Sequence, residues 1–326
     1  MRTIDDHEKS HGDTMAPRPV TTLPPVSVLI ATYNRPEDVA RCLPTILAND
    51  YPDFEVVLGD QSPDPATVDV VAAIGDPRVR VLRLAVRGKS RAVNHALPHL
   101  MGAVVAMIDD DVTVPPDWLG RAVAALLREP QPVIICGAVV PVPHDRRREV
   151  VAEHVPASVY RVRGPPLFPG RLVPAFEWAG IGAHFILWRA DLERLGGFDE
   201  WLGVGSPLEA EDLDLCYRAL RAGLTLLHLP EPAVVHWGKR SGPAAQVLSA
   251  RYGFGLGAVY MRNLRRGDWL AAAMFLQDLL WRLRKIAGAL KRREQPPELR
   301  FTIYMVIGAL AALRYPTSLK RPPTST

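Results

Sequence analysis

The chain has 326 residues, of which 48% are hydrophobic, enough for one large globular domain or a domain with an appendage. Its net charge of +4 conceals an asymmetry, because residues 246–326 carry fourteen Lys and Arg against four acids, leaving twenty-five against thirty-one elsewhere. The three cysteines form no CxxC pair, which argues against a zinc site and favours reduced thiols in a cytosolic protein. Residues 1–25 are polar and proline-rich without an apolar core, so we expect a disordered lead-in and no secretory signal.

The first half of the chain alternates between strand-like and helix-like segments. Apolar runs at 26–31, 54–58, 79–84 and 103–108 predict strands, and helices are predicted from Pro36, Asp64 and Lys89. Such alternation indicates βαβ units and therefore an α/β fold with a mostly parallel sheet.

The second half is less regular. We predict strands at 131–140, 177–188, 225–229 and 233–235, a helix at 211–222, and a proline- and arginine-rich connection over 143–175. From residue 251 the chain becomes helical, with apolar faces and interleaved arginines at 251–264 and 269–290. The apolar run 301–313 is short for a membrane span, so packing on the body or a dimer contact is expected instead.

Three consecutive aspartates, Asp109, Asp110 and Asp111, follow the apolar run 102–108. The end of a buried strand lies at the rim of a sheet, where open α/β sheets bind their ligands. Three adjacent carboxylates repel one another, and oxygen ligands favour Mg²⁺ or Mn²⁺, which would hold a phosphate-bearing substrate. The alternative is a solvated acidic turn.

Further polar landmarks stand at the ends of the predicted elements, in the order Thr32-Tyr-Asn-Arg-Pro36, Gly59-Asp60, Gly88-Lys-Ser-Arg91, Asp109-Asp-Asp111, Gly196-Gly-Phe-Asp199, Glu211-Asp212 and His236-Trp237. From about Val26 to Trp237 this series resembles the family 2 glycosyltransferases, which use nucleotide sugars. The resemblance implies a GT-A fold, with a mostly parallel, Rossmann-like central sheet flanked by helices. It implies a transferase domain over 26–240, divided into a nucleotide-binding half (26–112) and an acceptor-binding half (113–240), before a basic helical region at 241–326.

The resemblance also implies roles for residues on the donor side. Asp109 matches the first acid of the family's DxD motif and faces the donor, Asp110 assists, and Asp111 matches the metal ligand. A histidine at the position of His236 joins the metal in many relatives, although a lone histidine is more often structural. Mg²⁺ or Mn²⁺ is the implied cofactor.

The nucleobase and the diphosphate have their own expected contacts. Asp60 matches the acid that hydrogen-bonds the base, and Thr32 and Asn34 match the loop that cradles it, although Asn34 could also be only a helix cap. Lys89 and Arg91 begin a helix, where backbone N–H groups and two cations could meet a diphosphate. A solvated basic helix end is the alternative.

The catalytic and acceptor side is expected around the Glu-Asp motif. Asp212 matches the general base, at a helix start whose dipole favours a carboxylate, and Glu211 would orient the acceptor or the base. Two acids that only stabilise a helix are the alternative. Trp178, Gly180 and Gly182 would form an acceptor wall, whereas Trp178 could be ordinary core.

We therefore predict an inverting glycosyltransferase that moves a sugar from a nucleotide-diphosphate sugar to a glycan, lipid-linked or cell-surface polysaccharide acceptor. A metal-dependent nucleotidyltransferase or a non-catalytic nucleotide-sugar-binding protein are the alternatives. The basic region 241–326 suits an anionic membrane surface better than a nucleic acid, because it lacks a stacking character. A cytoplasmic protein, peripheral on the inner face of the cell membrane and possible as a homodimer through its C-terminal helices, is the expectation.

Overall fold

The computed structural model describes residues 22–85, 87–146, 148–164, 178–296 and 298–320. The predicted lead-in 1–25 lies almost wholly outside these ranges, as does much of the predicted connection 143–175.

The first half folds as the alternation predicted. Each apolar run is a strand and each intervening segment a helix, and Pro36 stands at the first turn of its helix, where its missing N–H costs nothing. The elements are β1 (Val26–Thr32), α1 (Pro36–Leu47), β2 (Phe54–Asp60), α2 (Ala66–Ile74), β3 (Val79–Arg83), α3 (Lys89–Ala96) and β4 (Val104–Asp109).

The second half departs from the prediction in several places, which include unpredicted strands at 149–150 and 160–163 and an unpredicted helix at 189–194. No element was predicted between 113 and 130, but α4 lies there with its buried residues at helical spacing. The predicted strand 177–188 begins only at His184, because 178–183 form a turn. The two predicted short strands join into one across an irregularity between Leu229 and Val234. The elements are β5 (Val112–Thr113), α4 (Trp118–Leu127), β6 (Val133–Pro141), β7 (Glu149–Val150), β8 (Tyr160–Arg163), β9 (His184–Trp188), α5 (Arg189–Arg194), α6 (Glu211–Arg221) and β10 (Thr225–His236).

Nine of the described strands form one large sheet in the order β3-β2-β1-β4-β9-β6-β10-β5, with β8 also paired to β10. Six of these nine strands run in one direction and β9, β5 and β8 run against them, so the mostly parallel sheet is confirmed. Parallel register sets Thr32 beside Asp60 and Ala31 beside Asp109. The loops after β1, β2 and β4 therefore meet at one edge of the sheet.

The C-terminal region continues the packed body. A short strand, β11 (Arg240–Ser241), pairs with β7, and α7 (Gly242–Arg265), α8 (Trp269–Lys291) and α9 (Glu298–Ala312) follow. Leu256 of α7 and Met305 of α9 belong to the same buried cluster as Leu29 of β1. No break in packing thus marks the predicted boundary at 240/241, and the run 301–313 packs on the body. Among the described helices, none has both the length and the hydropathy that crossing a bilayer requires.

Two of these helices touch backbone to backbone. A Cβ atom at Gly257 of α7 would lie 1.8 Å from the carbonyl oxygen of Met305, and one at Gly308 of α9 would lie 1.9 Å from that of Phe254. Only glycine allows α7 and α9 to approach this closely.

A buried ion cluster ties the C-terminal segment to the segment that follows α5. Arg262 of α7 is fully buried, and its guanidinium donates to both carboxylate oxygens of Asp199, at 2.6 and 3.0 Å. The same guanidinium donates to the backbone carbonyls of Pro316 and Ser318. The chain after α9 is therefore anchored through a charged residue of the Gly-Gly-Phe-Asp motif.

Candidate active site

A cleft of about 690 Å³ opens at the edge of the sheet where β1 and β4 end. The start of α3, the start of α6, the segment 150–154 and part of α7 complete its walls. Most of the predicted site residues line it: Thr32, Lys89, Asp109, Asp110, Asp111, Gly180, Gly182, Glu211, Asp212 and His236. The fold thus brings the DxD-like aspartates and the Glu-Asp motif to one cavity, although about a hundred residues separate them.

Asp109, Asp111 and His236 form a possible metal site. Each offers one ligand atom, and these atoms all lie within 4.8 Å of one another. His236 is brought there by β10, which pairs antiparallel with β5 and sets His236 beside Val112. One imidazole nitrogen and carboxylate oxygens suit Mn²⁺ and, with fewer protein ligands, Mg²⁺.

The contacts of His236 fit a bound cation. Its Nδ1 lies 3.0 Å from the carbonyl oxygen of Ala152, so a proton on Nδ1 leaves the Nε2 lone pair facing Asp111 Oδ1 at 3.1 Å. That carboxylate oxygen is buried and has no hydrogen-bond donor among the described residues. Adjacent ligands of an octahedral ion with bonds near 2.1 Å stand about 3 Å apart, which matches this spacing.

The electrostatics of the pair favour a charged carboxylate. Burial alone would raise the pKa of Asp111, but its contact with His236 and the charge of Arg35 outweigh burial and lower it. Burial likewise lowers the pKa of His236, and the neighbouring Asp111 more than reverses this. Asp111 is therefore anionic at neutral pH, as a metal ligand must be.

Arg35 is a site residue that the sequence analysis missed. Its Nη1 lies 3.0 Å from Asp110 Oδ1 and 3.0 Å from Asp111 Oδ2, and Thr32 Oγ1 donates to Asp110 Oδ2 at 2.7 Å. Burial raises the pKa of Asp110 to about 6 although Arg35 opposes the shift. Asp110 thus ties the loop after β1 to the loop after β4. The sequence did contain a signal for this contact: Arg35 follows β1, the aspartates follow β4, and these two strands are neighbours in a parallel sheet.

Lys89 joins the two acidic motifs. Its Nζ lies 2.5 Å from Asp109 Oδ1 and 3.4 Å from Glu211 Oε1. Burial lowers the pKa of Lys89, but these two carboxylates outweigh burial and raise it above its ordinary value. The ammonium thus faces carboxylates within the cleft, at the place where a diphosphate contact was predicted.

Asp212 is held by backbone donors at the start of α6. Its Oδ2 accepts from the N–H of Gly182 at 3.1 Å, and its Oδ1 accepts from the N–H of Leu213 at 2.8 Å. A Cβ atom at Gly182 would approach Asp212 Cβ to 3.3 Å, so a small residue suits that position. The preceding Glu211 is buried, and burial raises its pKa to about 7.

Asp60 and Asn34 do not line the cleft, although their chain neighbours Gln61 and Tyr33 do. Asp60 is fully buried, and its Oδ1 accepts from the N–H of Ser62 at 2.9 Å. Its Oδ2 has no hydrogen-bond donor among the described residues, and Arg83 Nε is 3.7 Å away. Asn34 has a left-handed φ of 53° and donates its N–H to Ser62 Oγ. The two loops are thus fastened to each other through Ser62.

Two predicted contacts are not brought to the cleft. Arg91 Nε lies 3.8 Å from Glu200 Oε2, and Arg91 lines a separate cavity of about 480 Å³. Trp178 is 5% exposed and belongs to the core, where its carbonyl oxygen contacts His228 Nε2. Both residues lie outside the lining of the cleft, and their predicted roles stay predictions. Residues of the C-terminal region line the cleft instead, namely Arg240, Leu248, Arg251 and Tyr252.

A comparison with known protein families places this architecture. The family model described as glycosyl transferase family 2 matches residues 27–195, which is about half of the chain. The chain belongs to glycosyl transferase family 2. It therefore carries the glycosyltransferase domain of a family 2 enzyme, and the family match favours this assignment over the nucleotidyltransferase and the non-catalytic alternatives.

Curated proteins with related sequences include a glucosyltransferase and a polysaccharide biosynthesis protein. The validoxylamine A glucosyltransferase of Streptomyces hygroscopicus subsp. limoneus is 29% identical over 65% of this chain and 52% of its own length. The succinoglycan biosynthesis protein ExoO of Rhizobium meliloti is 36% identical over 33% of this chain and 32% of its own. The chain spans about half the length of the first of these relatives and about a third of the second.

Solved glycosyltransferase structures share the fold of this family 2 chain. The mannosyltransferase PcManGT from Pyrobaculum calidifontis, in complex with GDP-Man and Mn²⁺, superimposes with a TM-score of 0.56 at 22% identity, covering 90% of this chain and 87% of that one. S. aureus TarS 1–349 in complex with UDP-GlcNAc gives a TM-score of 0.57 at 19% identity, covering 88% and 79%. These likenesses confirm the GT-A fold.

Proposed function

We propose that this family 2 chain is a metal-dependent, inverting glycosyltransferase that uses a nucleotide-diphosphate sugar. The observation that carries the proposal is the joint position of Asp212 and the Asp109, Asp111 and His236 group in one cleft. One carboxylate can then serve the incoming hydroxyl while separate acidic groups serve the departing diphosphate. That division of labour is what a single displacement at an anomeric carbon requires.

Asp212 is the proposed general base. Both of its oxygens accept one backbone N–H each, which fixes the carboxylate and leaves lone pairs for an acceptor hydroxyl. In the proposed step the acceptor oxygen bonds to the anomeric carbon as the bond to the diphosphate oxygen breaks, and the hydroxyl proton passes to Asp212. Attack opposite to the leaving group inverts the configuration.

Glu211 and Lys89 are proposed to position this machinery. Glu211 directly precedes the proposed base in the chain, and its Oε1 lies 3.4 Å from the ammonium of Lys89. Through Lys89 it is linked to Asp109, the acid proposed to face the donor. A bound donor that shifts Asp109 would therefore also shift Lys89 and Glu211, next to the proposed base Asp212.

The donor is proposed to lie along the edge of the sheet. The buried Oδ2 of Asp60 lacks a donor among the described residues, which suits a nucleobase N–H, and Thr32 and Asn34 fix the surrounding loop. Asp111 and His236 would hold Mg²⁺ or Mn²⁺, with Asp109 as a third ligand or a donor contact. When bound, the cation would neutralise charge on the leaving diphosphate.

The acceptor is proposed to enter beside Gly180 and Gly182, opposite Arg240 and Tyr252 of the C-terminal region. A glycan, lipid-linked or cell-surface polysaccharide hydroxyl fits the predicted class. The predicted contact of 241–326 with an anionic membrane surface, on the inner face of the cell membrane, belongs to the same proposal. So does the possible homodimer.

Donor hydrolysis tests the proposal without a known acceptor. We expect one of UDP-, GDP- or dTDP-sugars to raise the melting temperature with Mn²⁺ and to release nucleoside diphosphate slowly. Asp212→Asn should keep the thermal shift and lose about 10²- to 10⁴-fold in turnover, the usual contribution of a general base. The exposed Asp117→Asn serves as the matched control. Release of pyrophosphate, or full turnover by Asp212→Asn, would refute the mechanism.

A further inference from the structure

The exposed apolar side chains of this protein are concentrated on two helices. Twelve of the twenty-one large hydrophobic residues that are exposed in the described part of the chain lie on α8, α9 or the residue that follows α9. They are Trp269, Leu276, Leu280, Leu283 and Leu290 in the first helix, and Leu299, Ile303, Tyr304, Val306, Ile307, Leu310 and Leu313 in the second. Exposed patches of this kind mark interaction surfaces.

The α8 residues form a narrow stripe. At 100° per residue, Trp269, Leu276, Leu280, Leu283 and Leu290 fall within an arc of about 80°. Trp269 is 78% exposed and Leu290 60%, so these side chains are not incidental parts of the core. The opposite side of the helix carries its buried residues, including Ala271 and Met274.

The second helix has the same organisation. Ile303, Val306, Leu310 and Leu313 follow one another at three- or four-residue spacing, so they lie on one face. The other face, with Met305 and Gly308, packs on α7. The helices are linked to each other because Arg282 of α8 pairs with Glu298 and stacks over Phe301 at 3.6 Å. We call the two exposed stripes together the α8–α9 face.

Exposed cations surround the α8–α9 face. Residues 284–314 include two acids that are not buried, Glu294 and Glu298, and seven exposed cations. The cations are Arg284, Lys285, Lys291, Arg292, Arg293, Arg300 and Arg314. On the helical wheel Arg284 and Lys291 lie at the edge of the α8 stripe, which is where a side chain can reach past an apolar surface to an anionic one.

We infer that the α8–α9 face inserts shallowly into an anionic lipid bilayer and seats the enzyme on the membrane surface. The charge decides between the possible occupants. A second copy of the chain on the same face would set the cations at its edge, Arg284 and Lys291 among them, against the same cations of the first copy, and a symmetric contact of that kind repels. Anionic head groups neutralise the cations while the acyl region covers the leucines and isoleucines. This inference narrows the predicted membrane contact from residues 241–326 to residues 269–314, because α7 packs against the rest of the protein. It does not depend on the proposed transfer chemistry.

Vesicle flotation of the full chain tests the inference. We expect binding to phosphatidylcholine vesicles that contain phosphatidylglycerol, little binding to phosphatidylcholine alone, and weakening by salt. Arg284→Gln with Lys291→Gln should lower the partition coefficient about fivefold per cation. Leu280→Ser, Leu283→Ser and Ile307→Ser together should lower it at least as much. The control is Met101→Ser with Val155→Ser, which are 68% and 58% exposed elsewhere.

A second readout needs no destabilising variant. Brominated lipids should quench the fluorescence of Trp269, and the Trp269→Phe protein should lose that quenched component. Failure to bind anionic vesicles would overturn the inference, as would equal binding to neutral ones. A dimer that the triple serine variant converts to a monomer, without vesicle binding, would assign the face to a second copy. Parallel measurement of donor hydrolysis separates either result from failure of the proposed chemistry.

Discussion

Nζ of Lys89 lies 2.5 Å from Asp109 and 3.4 Å from Glu211, so one buried ammonium connects the acids after β4 with the acids that begin α6. In the proposed mechanism this contact would link the donor side of the cleft to the base side. The predicted diphosphate contact of Lys89 stays a prediction, because the two carboxylates occupy its ammonium in this structure.

Removing the Lys89 charge should therefore destabilise the fold. We expect Lys89→Met to cost about 1–3 kcal/mol in the free energy of unfolding, since the buried Glu211 and the partly exposed Asp109 lose their cation. Chemical denaturation measures this cost. Lys291→Met, on an exposed lysine, should stay within about 0.5 kcal/mol. Equal stability of the two variants would show that Lys89 is not a buried partner.

Metal binding should depend on the three converging ligands. We expect saturating Mn²⁺, at about a hundred times its dissociation constant, to stabilise the protein by about 2.7 kcal/mol. Asp111→Asn and His236→Ala should abolish most of this gain, whereas Asp117→Asn should keep it. The thermal shift and the Mn²⁺ electron paramagnetic resonance signal report binding directly. A full shift in Asp111→Asn would remove that residue from the ligand set.

Glu211 should make stability depend on pH in the absence of metal. Its folded pKa is raised to about 7 from 4.5, so between these values the unfolded chain has lost a proton that the folded protein keeps. The unfolded state then binds fewer protons, and stability falls as pH rises through this window, by roughly 1–3 kcal/mol in total.

The Glu211→Gln protein isolates this effect. Its stability relative to the parent should grow from pH 4.5 to 7 and then level off, measured by denaturant unfolding with chelator present. Glu193→Gln, on a half-exposed acid of α5, controls for the loss of charge. A relative stability that is flat across the window would contradict a buried, protonated Glu211.

Two glycines, one at the contact between α7 and α9 and one on the outside of α8, should respond in opposite ways to substitution by alanine. Gly257→Ala places a methyl group 1.8 Å from the Met305 carbonyl oxygen, so the helices must separate, and we expect a loss of about 1–3 kcal/mol. Gly288→Ala in α8 meets only the end of the Arg292 side chain at 3.5 Å and should gain about 0.5–1 kcal/mol from helix propensity. Thermal unfolding compares the two, and a neutral Gly257→Ala would show that the helices can part cheaply.

The sequence predicted well wherever periodicity and chain order were enough. Alternation located the strands of the first half, and strand ends located Asp109 to Asp111 and Asp60 at one edge of the sheet. The sequence was a poorer guide where the direction of a side chain determines whether a residue reaches the cleft. Lys89 and Arg91 are two residues apart on a helix, about 200° in azimuth, so only one could face the cleft.

Partners that are distant in the chain were the other difficulty. Arg35 lies seventy-six residues before Asp111, and no local pattern indicates that its guanidinium bridges two of the three aspartates. The cleft contribution of Arg240 and Tyr252 depends on how α7 packs on the body, which composition alone assigned to a separate appendage. Asp214, two residues after Asp212 on α6, is fully buried and pairs with Arg218 at 2.6 Å.

The Asp199 cluster has a consequence for how the protein is made. Its carboxylate belongs to the middle of the chain, but Arg262 and the carbonyl of Ser318 that complete the cluster are synthesised much later. When synthesis has just passed the Glu-Asp motif, the carboxylate of Asp199 is present but its buried partner Arg262 has not yet been made. We therefore expect the segment around Asp199 to reach its final packing only after residues up to Ser318 have been synthesised, so that a polypeptide stalled before that point would expose an incomplete core to chaperones and proteases.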